Sequence, residues 1–169
     1  MFEMQPVLTG EGVELRPLRE EDWDALYAVA SDPLIWALHP ASDRWQEPVF
    51  RSFFAEAMAG GGAFAIIDPA SGRIIGSTRY HGYDPERSEV EIGWTFLARS
   101  HWGGAVNREM KRLMLDHAFR FVESVLFFVG PENWRSRRAV EKIGGALDGR
   151  TVRSGRESVV YRIRRPSSA

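Results

Sequence analysis

Residues Ser88–Met110, SEVEIGWTFLARSHWGGAVNREM, decide the fold of this chain. Their first part alternates polar and apolar residues as a β-strand does, and an amphipathic helix follows a short turn with two adjacent glycines. Backbone N–H groups at the start of a helix have no intrahelical partner, and glycines let a ligand approach them closely. The stretch therefore predicts a strand–turn–helix unit that binds a phosphorylated ligand at the helix N-terminus.

The bulk composition predicts one globular domain of 169 residues, with a core from about residue 12 to 164 and a frayed tail at 165–169. The chain has no cysteine. It therefore has no disulfide, no thiolate nucleophile and no thiolate metal ligand. Neither an apolar run of about 18 residues nor a signal peptide is present, so we expect a cytoplasmic protein that does not span a membrane. The net charge of −1 argues against general nucleic-acid binding.

Charge is unevenly distributed along the chain. Pro131–Arg165 contains ten Lys or Arg against four Asp or Glu, a net of +6, which leaves −7 for the rest. The basic segment is either a solvated sheet face or part of a phosphate site. The acidic remainder favours an acceptor that carries an amine.

Hydrophobic periodicity and turn residues predict the element order β-α-α-β-β-β-α-β-α-β-β, which is a mixed α/β fold and not a doubly wound parallel sheet. The predicted strands are Gly12–Leu18, Ala63–Asp68, Ile74–Tyr83, Ser88–Leu97, Ser124–Val129, Ala146–Arg153 and Ser158–Arg164. The predicted helices run from about Glu20 to Pro33, Pro48 to Gly60, Gly104 to Val122 and Trp134 to Ile143.

The last two helices carry the motifs of interest. The third has an apolar stripe that includes Met110 and Met114, and its charged residues, Lys111 among them, are expected to point away from the core. The fourth begins at Asn133, a good N-cap, and ends at Gly144. Because one apolar strand separates the two helices, their N-termini are predicted to flank one crevice.

These motifs together resemble the GNAT superfamily of acyl-CoA-dependent N-acyltransferases, and in particular its ribosomal-protein N-terminal acetyltransferase branch, the RimJ/RimL type. Gly103-Gly104-Ala105 matches the G-x-[GA] of the family's turn, whose Gln or Arg position falls on Ser100, with Arg99 one residue earlier. The later pattern N-x-x-S-x-[RK]-x-x-E-K-x-G is matched at Asn133, Ser136, Arg138, Glu141, Lys142 and Gly144.

The resemblance implies a largely antiparallel central sheet of about seven strands flanked by about four helices. It also implies acetyl-CoA as donor, with its pyrophosphate on the amides of the turn and its pantetheine arm against the strand end that follows Thr95. The implied cofactor-binding residues are Phe96, Leu97, Ala98, Arg99, Trp102, Gly103, Gly104, Ala105, Val106, Asn107, Asn133, Ser136 and Lys142.

Acetyl transfer to an amine needs that amine to be neutral, whereas free α-amino and lysine groups titrate near ~7.7–8.0 and ~10.4. A carboxylate acting directly or through water would remove the proton, and Glu91, just ahead of the cofactor turn, is our candidate base. The alternative is that Glu91 is a paired or solvated strand residue. Ser136 is the candidate proton donor to the leaving thiolate, as the resemblance implies, although a first-turn Ser is often only structural.

The acceptor site is predicted from residue type and place. Trp36 and Trp45 lie in a region that shapes the acceptor pocket of the family, although such aromatic residues are also ordinary core. His81 lies on the strand that precedes the strand of Glu91. Glu89 lies on the same strand as Glu91 and on the same face of it. The four histidines show no metal-ligand spacing, so no metal is expected.

Three functions follow from these patterns. The first is transfer of acetyl from acetyl-CoA to a primary amine, either a protein N-terminus or a small molecule, by direct attack in a ternary complex. The second is a catalytically silent acyl-CoA-binding or regulatory module. The third is RNA binding through the basic segment, which lacks the aromatic and basic surface strands of single-strand readers. The oligomeric state, monomer or homodimer, is left open.

Overall fold

The computed structural model describes residues 1–167 and contains one eight-stranded sheet in the order β1-β2-β3-β4-β5-β6-β8-β7. The strands are β1 (Leu8–Thr9), β2 (Glu14–Pro17), β3 (Ala63–Asp68), β4 (Arg73–Asp84), β5 (Glu89–Leu97), β6 (Ser124–Val129), β7 (Ala146–Arg153) and β8 (Arg156–Arg164). The helices are α1 (Trp23–Ala30), α2 (Glu47–Gly60), α3 (Val106–Ala118) and α4 (Trp134–Lys142), with short 3-10 turns at Glu20–Asp22, Pro33–Ile35 and Arg99–His101.

The predicted mixed, largely antiparallel fold is confirmed, with one additional short strand, β1, at the edge. Each neighbouring pair of strands is antiparallel except β5 and β6, which are parallel. A parallel pair needs a crossover connection, and α3 supplies it. This one parallel pair joins two antiparallel parts of the sheet, β1 to β5 on one side and β6, β8 and β7 on the other.

Two apolar clusters cover the two faces of the sheet. On the α3 face, Met110 and Met114 are fully buried with Tyr80 and Tyr161. On the α1–α2 face, Phe96 packs with Trp36 and Phe50. Because β5 contributes to both clusters, its two faces are held in place by separate cores.

A β-bulge in β5 changes the side-chain alternation at Trp94. The β4–β5 register shifts between Ser77 and Arg79, and Trp94 has a φ of +51°, which is unusual for a bulky residue. Beyond the bulge Thr95 faces α3, where its Oγ1 lies 2.8 Å from Oγ1 of Thr78. Strained backbone of this kind concentrates at functional sites.

Three local predictions were wrong. Lys111 was expected to face solvent but is 5% exposed, because α3 is buried along both its Met110 and its Leu115 sides. The strand Ser124–Val129 was expected to be covered on both faces, but Leu126 and Phe128, which share one face, are only half-buried.

The third concerns the tail, which was expected to fray from residue 165. Arg165 instead donates its backbone N–H to Glu123 O at 2.8 Å and pairs with the Glu123 carboxylate. It is therefore anchored beside β6. Residues 168 and 169, the end of the predicted tail, lie outside the described part of the chain.

Candidate active site

A cavity of about 240 Å³ lies where β5 and β6 separate. Over the described chain the two strands pair only through residues 89–91 and 124–126. Beyond that point their facing edges, Ile92–Leu97 and Phe127–Gly130, line the cavity. Backbone polar groups on such edges are available to a ligand that carries amides of its own.

The N-terminal end of α3 forms one wall of the cavity, through Gly103 and Asn107. Gly103 has a φ of +72°, and a side chain added at exposed Gly104 would meet no atom within 4 Å. The turn is braced by Trp102, whose Nε1 donates to Leu97 O at 2.9 Å. Open backbone at a helix start is what an anion site requires; that an anion binds here stays a prediction.

The N-terminal end of α4 forms the opposite wall. Buried Asn133 caps the helix by accepting a 3.4 Å hydrogen bond from the backbone N–H of Ser136, and both residues line the cavity. Arg135 bridges the two walls, since its guanidinium lies 3.8 Å from the Trp102 ring centroid and donates to Ile35 O. The prediction that both helix N-termini flank one crevice is confirmed.

Lys111 reaches the same cavity from α3. Its Nζ donates to Thr95 Oγ1 at 2.8 Å and lies 5.6 Å from the Phe127 ring centroid. Burial lowers the pKa of Lys111 from 10.5 to about 7, because an ammonium loses its hydration there. A polar, partly neutral amine therefore lies on the α3 side of the cleft.

We expect Lys111→Met to remove a pH dependence from the stability of the ligand-free protein. The unfolded chain holds this proton up to about pH 10.5, whereas the folded chain releases it above about pH 7. The contribution of Lys111 to the free energy of unfolding should therefore rise with pH across that window, by at most about 5 kcal/mol. Urea unfolding at several pH values compares wild type, Lys111→Met and the exposed control Lys142→Met. The prediction would be contradicted if the free energy of unfolding changed with pH in the same way in all three proteins.

On the α1–α2 face the cavity is lined by His39 and Arg44. Burial and the neighbouring Arg44 lower the pKa of His39 to about 3, so its ring is neutral at pH 7. Its Nδ1 accepts a 2.8 Å hydrogen bond from the Ala41 N–H, which places the ring proton on Nε2. This Nε2–H lies 3.4 Å from Arg44 Nη1, so two donors face each other.

The charge of the lining is uniformly basic. Arg44, Lys111 and Arg135 line the cavity, and among the described residues that line it none is Asp or Glu. Glu91, the candidate base, does not reach it. The carboxylate of Glu91 is 6% exposed and accepts two hydrogen bonds from Arg153, at 2.7 and 2.9 Å. The structure therefore places Glu91 in an ion pair between β5 and β7.

The other predicted residues divide into two groups. Those that line the cavity are Trp36, Phe96, Leu97, Trp102, Gly103, Asn107, Asn133 and Ser136. Those that do not are Ala98, Arg99, Gly104, Ala105, Val106, Lys142, Trp45, His81 and Glu89. Gly104, Ala105 and Val106 nevertheless belong to the turn and first helical residue beside it.

Several members of the second group have other partners. Arg99 pairs with Asp32, and Glu89 pairs with Arg162 at 3.1 Å. Trp45 is 37% exposed, and Lys142 lies at the far end of α4. The ring of exposed His81 contacts Trp94, with centroids 5.1 Å apart.

The residues at or beside this cavity that were not predicted as site residues include the basic ones His39, Arg44, Arg79, Lys111 and Arg135. Only Lys111 had a usable signal, because it shares a helix face with Met114 and Leu115, three and four residues later. The others come from the loop before α2, from β4 and from α4, and periodicity does not reveal that these elements converge.

The family model described as the acetyltransferase (GNAT) domain matches residues 13–146, most of the chain. A candidate acetyltransferase of known structure is 29% identical over 97% of this chain and 89% of its own, with a TM-score of 0.83. Another, from T. thermophilus, is 27% identical over 97% and 92%, with a TM-score of 0.80.

A Mycobacterium smegmatis RimJ solved in complex with CoA-disulfide shares the fold, at 23% identity over 94% of this chain and 85% of its own, with a TM-score of 0.67. No curated protein sequence matches the chain significantly. Within residues 1–167, no helix is long and apolar enough to cross a membrane, and no group of three His, Asp or Glu is arranged to hold a metal ion.

Proposed function

The chain belongs to the GNAT acetyltransferase family and is an acyltransferase, and from this premise we propose that it transfers acetyl from acetyl-CoA to a primary amine. The observation that carries the proposal is the cavity between the diverging β5 and β6, flanked by the N-termini of α3 and α4. Acetyl-CoA supplies an acetyl group activated as a thioester.

The residues present fit this donor. The exposed backbone at Gly103–Gly104 leaves room for a pyrophosphate at the start of α3, where the helix dipole favours negative charge. The unpaired edges of β5 and β6 offer N–H and C=O groups to the amides of a pantetheine arm. The RimJ neighbour solved with a CoA compound supports this donor for the fold.

The basic lining offers a way to deprotonate the acceptor without a carboxylate base. Nearby positive charges disfavour an ammonium ion and so lower the pKa of an amine held in the cavity. Arg44 and Arg135 have this effect at any ordinary pH, and Lys111 has it below about pH 7. The proton then passes to water, and we propose this in place of a proton transfer to Glu91.

Ser136 is the proposed hydrogen-bond donor to the sulfur that leaves. It is the third residue of α4, half-buried, and lines the cavity. We expect Ser136→Ala to reduce kcat by about 10- to 100-fold with little change in the KM for acetyl-CoA, since such donors act mainly in the transition state.

Release of free thiol from acetyl-CoA, measured against a panel of amines and peptides, tests both the activity and this role. Ser124→Ala, a buried Ser outside the cavity, is the matched control. A wild-type protein that binds acetyl-CoA but acetylates no amine would favour the silent module. Full kcat in Ser136→Ala would limit that residue to a structural role.

The acceptor class, a protein N-terminus of the RimJ/RimL kind or a small molecule, is not fixed by the family. A cytoplasmic location and a monomeric or dimeric state stay predictions. The RNA-binding alternative is disfavoured because part of the basic segment folds inward, with Arg135 at the cavity and Arg153 on Glu91.

A further inference from the structure

Two guanidinium groups on the α1–α2 face have no carboxylate partner within residues 1–167. Arg79, on β4, is 6% exposed, and its Nη2 is buried without a hydrogen-bond partner among the described residues. Arg44, in the loop before α2, forms no ion pair within the same part of the chain. Glu56 favours both charges only from beyond ion-pair distance.

The two groups contact the same aromatic ring. Both guanidinium carbons lie near the Phe53 ring centroid, at 5.0 Å for Arg44 and 5.2 Å for Arg79. Arg79 also stacks at 4.1 Å on Trp94, which lines the cavity at the bulge. Burial lowers the pKa of each Arg to about 10, because a guanidinium loses hydration there.

A third donor faces the same space. Nε2 of His39 lies 3.4 Å from Nη1 of Arg44, and both are donors because His39 Nδ1 accepts from the Ala41 N–H. Two donors that face each other in this way disfavour the folded state. One oxygen anion placed between them would accept from both.

The phosphates of the donor do not account for this cluster. Their proposed position, the start of α3, belongs to the other face of the sheet, whereas Arg44 and Arg79 pack on the α1–α2 cluster with Trp36 and Phe53. The anion that fits must therefore come from the acceptor side of the cleft.

We propose that the acceptor is an amine that also carries a carboxylate a few bonds away, and that Arg44 and His39, which line the cavity, bind this carboxylate while the charge of Arg79 beside Trp94 favours it. The inference rests on the proposed acetyl transfer and names its substrate class. It corrects the expectation from the acidic balance of residues 1–130, which pointed to the amine alone. The carboxylate belongs either to a free amino acid or to an Asp or Glu side chain at a peptide N-terminus.

Matched acceptors test the proposal with the full-length protein and acetyl-CoA. One arm compares free L-methionine with its amide, and the other compares tripeptides that begin with Asp or Glu with those that begin with Asn or Gln. We expect at least one arm to show a preference of about 30-fold or more in kcat/KM for the carboxylate. Arg44→Gln should reduce that preference to below about 3-fold while leaving the KM for acetyl-CoA unchanged, and the exposed Arg51→Gln is the control.

The outcomes separate the two proposals. Transfer without preference for the carboxylate, or a preference that Arg44→Gln retains, overturns the carboxylate site but leaves acetyl transfer standing. If no amine is acetylated, the proposed function fails. The carboxylate site is then tested separately, by calorimetry of L-methionine and of the Asp and Glu tripeptides with the CoA-bound protein. Binding of these compounds to the wild type that is lost in Arg44→Gln supports the carboxylate site. Absence of binding to the wild type overturns it. Thermal unfolding of Arg44→Gln should occur at or above the wild-type temperature, which guards against a folding defect.

Discussion

Replacing Gly104 by Asp is expected to lower the affinity for acetyl-CoA by at least about 100-fold while leaving the ligand-free fold intact. A side chain at residue 104 meets no protein atom within 4 Å, and no positive φ constrains the position. The new carboxylate would occupy the proposed pyrophosphate position. Like charges about 4 Å apart repel by about 4 kcal/mol near a protein surface, and each ~1.4 kcal/mol is a factor of ten in affinity.

The stability of the same variant makes the result diagnostic. Residue 104 precedes α3, where a carboxylate interacts favourably with the helix dipole, so the melting temperature should stay level or rise. Gly60→Asp, at the C-terminal end of α2 with equally open space, is the control. There we expect slightly lower stability and unchanged acetyl-CoA binding. Equal affinity in wild type and Gly104→Asp by calorimetry would show that the turn does not hold the pyrophosphate.

Arg153→Gln is expected to destabilise the protein by about 3 kcal/mol, because it leaves the Glu91 carboxylate buried and uncompensated. The double variant Glu91→Gln with Arg153→Gln should be more stable than Arg153→Gln alone, since no charge is then left buried. Urea unfolding of the two single variants and the double variant measures the coupling. If the double variant is no more stable than Arg153→Gln alone, Glu91 and Arg153 do not stabilise the fold as an ion pair.

Kinetics of Glu91→Gln distinguish a positioning residue from a base. If Glu91 only anchors β5 to β7, the pH profile of kcat keeps its shape and kcat changes by less than about 5-fold. If Glu91 removes the proton, kcat falls by about 100-fold or more and the acidic limb of the profile disappears. The second result would restore the assignment made from the sequence.

The element order was readable from the sequence because it depends on short-range patterns. Strand alternation, the apolar stripe of α3 and the Asn133 cap each involve residues within a few positions of one another. The strands Ala63–Asp68, Ser124–Val129 and Ala146–Arg153 were predicted to the residue. The two helix N-termini followed from the same signals and the strand between them.

Partners of charged residues were not readable in this way. Glu91 and Arg153 are 62 positions apart, and the sequence does not show which of the many arginines folds against a strand carboxylate. The bulge at Trp94 was equally hidden, since it arises from the pairing of β5 with β4. Lys111 lies between these two cases. Its position on the helix face of Met114 and Leu115 indicated burial, but its charge led to the prediction that it faces solvent.

The sequence by itself thus determined the order of the elements and the strand–turn–helix unit at Ser88–Met110, because local periodicity and capping chemistry are written in adjacent residues. Only the tertiary structure decided the sign of the charge in the cleft. A chain with a net charge of −1 gathers Arg44, Lys111 and Arg135 around one cavity, from a loop and two helices. Electrostatic interaction depends on distance in space, and folding sets that distance independently of position along the chain.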